Sequence, residues 1–200
     1  MSEQETPPFY NDLDATRDHA LALVVRGVKD RKSGMHTFAV ATISADGAPR
    51  LRTVVNRGFD PQTRTLRFHT DARSPKLEEL AKDPRAAVHL YDPRAKTQLR
   101  LDTMATIHRD SDVRQTAWDA TRDFSRECYR VIPAPGDVVD TPLAVAFTEG
   151  DDPEEGAQNF VAVTLQLHAM EWLYLASQGH RRARFAWDES GDLSQTWLVP

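Results

Sequence analysis

Short stretches of period-two alternation, each closed by turn residues, recur along most of this chain and constrain its fold more than any other feature. Phe38, Val40 and Thr42 alternate with Ala39, Ala41 and Ile43 before a turn at Ala45-Asp46-Gly47. The return strand, residues 50–57, sends Arg50, Arg52, Val54 and Asn56 to one face and Leu51, Thr53, Val55 and Arg57 to the other. Similar signals mark strands at 65–70, 86–91, 97–108, 160–170, 181–187 and 195–199. Helical periodicity is confined to three places. Residues 13–29 set Leu13, Leu21, Val24, Val25 and Val28 along one side; residues 76–82 follow an N-cap at Ser74 and a proline at the first helical position; a third helix opens near Ser111 and carries Val113, Trp118 and Phe124. Six or more antiparallel strands with a few helical attachments predict a mainly β chain curled into a barrel.

The whole chain, 1–200, is expected to form one domain: a helical lead (1–33), a barrel segment (34–108), a helix and long loop (109–158), and closing strands (159–200). Residues 131–158, rich in Pro, Gly and acids, read as a mobile loop with one short strand near 144–147. At 200 residues the core needs neither disulfide nor metal, and the single Cys128 is expected to be a buried or half-buried thiol. A net charge of −5 argues against a general nucleic-acid binder. The longest apolar runs fall far short of the ~20 residues of a bilayer span, and the acidic residues 1–11 do not resemble an export signal. A cytoplasmic protein without membrane contact is the expectation. The seven histidines show no metal-ligand spacing, and no Gly-rich nucleotide loop is present. His108 and His168 are expected to face solvent, and the four tryptophans to lie mainly in core or interface.

Against this acidic background, residues 47–76 are basic. Arg50, Arg52, Arg57, Arg64, Arg67, Arg73 and Lys76 face only Asp60 and Asp71, a local balance of +5. A helix opening at Ser74-Pro75-Lys76 adds unpaired N–H groups and the positive end of a helix dipole, so Arg52 on a neighbouring strand would complete a phosphate site. A solvated basic surface is the alternative.

Three segments between Thr37 and Leu101 resemble the pyridoxamine 5'-phosphate oxidase family of FMN-binding split β-barrels. They are Arg52-Thr53-Val54-Val55-Asn56-Arg57, His69-Thr70 with the following Asp71-Ala72-Arg73-Ser74-Pro75-Lys76, and Gln98. The resemblance implies FMN as cofactor. Arg52, Ser74 and Lys76 would take its phosphate, Thr53, Val54 and Val55 would run along the isoalloxazine with Arg57 nearby, and His69 and Thr70 would lie along the ribityl-phosphate. Pro75 stands where the family has an arginine, and Arg73 is a candidate to replace it. In the family the glutamine matching Gln98 comes from the other subunit, so a homodimer with FMN at its interface is implied; a plain cross-strand hydrogen bond is the alternative for Gln98. Near the C-terminus, Arg184 matches a flavin-edge arginine from the partner. Trp172 or Tyr174 takes the family's late aromatic position, and His180 and Arg182 stand where the family has Arg and His. The Tyr, Arg and Ser of the family's middle helix, which hold the vitamin's phosphate, have only Arg122, Arg126 and Tyr129 as nearby types here.

The reading is therefore an FMN-dependent oxidoreductase with an undetermined small-molecule substrate. The alternative is a non-catalytic flavin, F420 or haem carrier on the same barrel, with His69 or His180 as candidate haem ligands.

Overall fold

In the computed structural model, which describes residues 6–142, 145–148, 152 and 154–200, the chain enters through a capped helix. The Asp12 carboxylate accepts Ala15 N–H at 2.7 Å and starts α1 (Leu13–Lys29). Its buried stripe is Thr16, Ala20, Val24 and Gly27, and Val25, expected on that side, is exposed. Small residues win this face because the helix lies close: a Cβ on Gly27 would come within 2.3 Å of the Met35 carbonyl oxygen.

β1 (Thr37–Ile43) and β2 (Pro49–Val55) form the expected hairpin. β2 ends two residues early because the Asn56 N–H leaves the ladder for His36 O at 2.8 Å. The Asn56 side chain then donates to Val24 O and Met35 O, joining α1 to the barrel. A short strand the sequence pattern missed, β3 (Gly58–Asp60), folds onto β4 (Thr65–Asp71). After α2 (Pro75–Lys82) come β5 (Arg85–Asp92), β6 (Thr97–His108), α3 (Asp112–Asp119), α4 (Asp123–Arg126), β7 (Phe160–Tyr174), β8 (Arg181–Trp187) and β9 (Leu193–Leu198).

The strands form one antiparallel sheet in the order β2-β1-β5-β6-β7-β4-β3, with β8 and β9 added through β7. Strand β7 explains the split. Its first half, Phe160 to Gln166, pairs with β4, and its second half, Ala169 to Tyr174, pairs with β8, while β6 accompanies both. A register shift at Asp102/Thr103 bends β6 where the two halves part. The inner faces enclose a core that includes Phe38, Val40, Leu66, Phe68, Leu99, Leu165, Trp172 and Phe185. A second cluster of Trp118, Tyr129 and Phe160 seats α3 on the outside of β7.

The single helix expected beyond Ser111 is two. The chain turns after Asp119, where Thr121 Oγ1 bonds Ala117 O at 2.7 Å. Phe124 is left 90% exposed. Two other expectations are corrected by local bonding. His108 is part-buried between Ser111 Oγ and Thr164 Oγ1, whereas His168 is exposed as expected. Cys128, expected buried or half-buried, is an exposed residue, its Sγ donating to Ser125 O at 3.0 Å. The strand expected near 144–147 reduces to one bridge between Val131 and Phe147; Ala144 and much of the acidic run at 149–155 lie outside the described residues. Trp118, Trp172 and Trp187 are buried, and Trp197 is exposed.

Candidate functional site

The basic segment gathers around the start of α2. Pro75 takes the first helical position, and Ser74, buried at the cap, makes no side-chain bond to the helix backbone. Its hydroxyl instead meets Lys76 Nζ, which also donates to Thr70 Oγ1 at 2.9 Å. Arg52 arrives from β2. Because Arg52 pairs with core residue Val40 across the hairpin, it points to the inner side of the sheet. There its guanidinium meets Glu79 Oε2 at 2.6 Å and the hydroxyl of Thr42. Burial and then the positive charge of Arg52 push the Lys76 ammonium below its ordinary range, with Glu79 and Asp71 opposing. Burial also raises the Glu79 carboxyl, but the bonds from Thr42 and Arg52 outweigh it and leave Glu79 ionised below the usual carboxylate range. The cluster thus presents an ammonium, a guanidinium, two hydroxyls and a helix N-terminus to one point, the donor set of a phosphate site. Arg73 takes no part: Asp71 holds it in a fork, and its remaining donors bind the Val131 and Ile132 carbonyls.

His69 and Thr70, adjacent in sequence, separate across β4. Thr70 joins Lys76, whereas His69 faces the other side with Arg67 and stacks edge-on against Phe160, ring centroids 4.8 Å apart. Burial, followed by the charges of Arg67 and Arg57, pushes the His69 imidazole down to about 3, so the ring is neutral at physiological pH. His69 and Arg57 open onto a polar pocket of about 310 Å³ between the end of α1, β4 and the α3–α4 junction.

Gln98 and Arg184 stand apart from both groups. They alternate with core residues Leu99, Ala183 and Phe185, so they face outward. Arg184 is held by Glu171 at 3.1 Å and Asp102 at 3.5 Å. Strands β1 and β5 lie between β2 and β6, so three strand steps separate Gln98 from β2, ~14 Å at 4.7–4.9 Å per step. Trp172 and Tyr174 stack on each other at 5.8 Å inside the core, so neither shares the outward face with Arg184. Val54 is partly buried toward the core, and Thr53 and Val55 turn outward along β2.

Comparison with known proteins shows what the chain resembles. The family model described as "Pyridoxamine 5'-phosphate oxidase, FMN-binding domain" matches residues 20–109. Pyridoxine/pyridoxamine 5'-phosphate oxidase 2 of Arabidopsis thaliana is 27% identical over 165 residues, 79% of this chain and 82% of that protein. A Bradyrhizobium diazoefficiens pyridoxine/pyridoxamine 5'-phosphate oxidase is 30% identical over 60% of this chain and 56% of its own length. Among solved structures, a pyridoxamine 5'-phosphate oxidase-related, FMN-binding protein from Nostoc punctiforme superposes with a TM-score of 0.72 at 25% identity, covering 98% of this chain and all of that one. PhzG from Burkholderia lata shares the fold, with a TM-score of 0.73 at 22% identity over 98% of each chain. The chain resembles the pyridoxamine 5'-phosphate oxidase-like family, and residues 20–109 match its FMN-binding domain.

The family's cofactor is FMN, and the donor set fits it. A dianionic phosphate would supply the counter-charge that a half-buried Lys76 and its neighbour Arg52 lack apart from Glu79. Sequence patterns missed Glu79 and Thr42, which aim Arg52, because neither belongs to a contiguous motif; only the packing of α2 on β1 brings them there. They also missed Lys29, Arg31 and His36 as pocket residues, since their partners lie in other elements. Among the described residues there is no candidate metal cluster and no helix able to cross a membrane.

Proposed function

We propose that this chain is an FMN-dependent oxidoreductase that works as a homodimer on a small anionic molecule. The observation that carries the reading is the convergence of Arg52, Thr70, Ser74 and Lys76 at the start of α2. These four would hold the FMN phosphate, with residues 53–55 running along the flavin. When bound, FMN supplies the redox chemistry. The protein's part is to bind, orient and exclude. Arg57 and neutral His69 would stand at the polar pocket on the other side of β4, where His69 offers a ring nitrogen without bringing a charge.

Dimerisation is part of the proposal because one chain cannot close the site on itself. Gln98 and Arg184 face away from Arg52, on the opposite side of the sheet. A second copy would bring Gln98 and Arg184 of the partner subunit to the ring edge. The outward face is suited to such a contact. Exposed Leu51, Ile43, Tyr91 and Met104 surround small residues, and Ala41, Ala87 and Met104 line a shallow hollow of about 690 Å³.

The test is a visible spectrum of the purified protein, identification of the chromophore released on denaturation, and a reduction screen. A flavin spectrum releasing FMN, together with reduction by NADH, NADPH or an amine or alcohol, is expected. A Soret band or released F420 would overturn the cofactor assignment. An FMN-loaded protein that no donor reduces would overturn the enzyme reading in favour of a carrier.

A further inference from the structure

The outward face of the sheet carries a row of arginines with one carboxylate at its centre. Across the ladder, Arg100 on β6 stands opposite Glu171 on β7, and Glu171 stands opposite Arg184 on β8. Their side chains share one face, because the residues on either side of each, Leu99 and Leu101, Met170 and Trp172, Ala183 and Phe185, all belong to the core. Arg182, two positions before Arg184 on β8, points the same way. Glu171 takes all three cations. Arg182 donates to it at 2.5 Å, Arg184 at 3.1 Å and Arg100 at 3.5 Å.

This pairing differs from the ordinary ion pairs of the chain. Glu79, Asp71 and Asp83 each take one arginine, whereas Glu171 takes three. It also lies deeper than its partners. Its side chain is 17% exposed against 30% for Arg182, 40% for Arg184 and 59% for Arg100, so the guanidinium groups hang over the carboxylate. The bond from Arg182, with burial opposing and the other arginines adding, holds Glu171 below the usual carboxylate range, and it is ionised at neutral pH. Asp102, the other carboxylate near Arg184, is itself 65% exposed and stands 3.5 Å away. Arg184 is therefore aimed chiefly by Glu171. Three guanidinium groups over one carboxylate leave the row cationic, but less so than three free arginines would.

We propose that Glu171 is a positioning residue for the flavin: it fixes the Arg184 that each copy lends to the other's ring edge, and it sets how much positive charge Arg184 brings there. The inference rests on the dimeric FMN reading. Reduction adds negative charge to a flavin, so a cation at the ring edge favours the reduced form and a carboxylate behind that cation weakens the effect. Glu171→Gln keeps the length and one acceptor oxygen but removes the charge. Two quantities are measured on FMN-loaded protein: the midpoint potential, and the affinity for sulfite, an anion that adds to oxidised flavin and bleaches its visible band. Glu171→Gln should bind sulfite about tenfold more tightly and raise the potential by about 30 mV, the same factor for a two-electron couple. Glu171→Asp, which keeps the charge, should restore both. Arg184→Gln should move both the other way, and in that background the effect of Glu171→Gln should shrink to under about threefold, as for a residue that acts through another. A carboxylate that served only the sheet would change thermal stability and leave both quantities alone. That result in a loaded dimer, from Glu171→Gln or from Arg184→Gln, would overturn the proposal and leave the FMN reading standing. An unaltered protein that takes up no FMN would overturn both, and shows itself before any variant is made.

Discussion

Arg52 and Lys76 are two cations held near each other beside the Glu79 carboxylate, and their behaviour separates phosphate recognition from ring recognition. Each charge-assisted bond to a phosphate is worth about 1.5–3 kcal/mol. Arg52→Ala and Lys76→Ala should therefore each weaken FMN binding by about 10- to 100-fold and leave riboflavin binding nearly unchanged. Equal losses for both flavins, measured by fluorescence titration, would remove these residues from the phosphate. His69 makes a prediction about pH. Its folded value of about 3 lies below the ordinary 6.5, so between these values the unfolded chain binds the extra proton. Stability contributed by the neutral ring is full above about pH 6.5 and falls as pH drops toward 3. From pH 6.5 to 5 the loss is on the order of 2 kcal/mol. Urea unfolding at both pH values should show His69→Gln losing less stability on acidification than the unaltered protein. Identical losses would mean that the ring is not desolvated.

At the scale of elements, what was legible in the sequence was whatever local chemistry fixes. The β1–β2 hairpin, α1, and the Ser74-Pro75 start of α2 were legible because alternation, caps and turn residues lie within a few positions of one another. Strand β3, the break between α3 and α4, and the end of β2 were not, because distant partners decide them. Asn56 is the clearest case: alternation extends β2 through it, but α1 and the turn before β1 claim its backbone and side chain. Asn56→Ala would leave Met35 O and Val24 O short of a buried donor and loosen the seam between α1 and the barrel. A loss of about 2–4 kcal/mol is expected from two such bonds, against less than ~0.5 kcal/mol for exposed Arg50→Ala. Comparable urea midpoints for the two variants would show that α1 is held by apolar packing alone.

At the scale of the whole molecule, the resemblance named Arg52 and Gln98 for the proposed FMN site and left the substrate side unassigned, and it could not give their placement. Nothing local in Arg52 or Gln98 tells that β1, β5 and β6 carry them to opposite sides of one sheet; that follows from strand order and pleat together. On the proposed dimer, flavin affinity and association should be coupled. Ala87 sits in the outward hollow, exposed and on the opposite face of the sheet from Arg52. Ala87→Arg should replace an apolar contact with a charge and shift the protein from dimer to monomer in sedimentation velocity. FMN affinity should then fall at least about tenfold, although no phosphate-cluster residue has changed, because roughly one charged contact per ring is lost. Gln98→Ala and Arg184→Ala should lower flavin affinity without dissociating the dimer. A monomeric Ala87→Arg protein with undiminished FMN affinity would mean that one chain holds the cofactor by itself, and that Gln98 and Arg184 serve only the outward face of their own sheet.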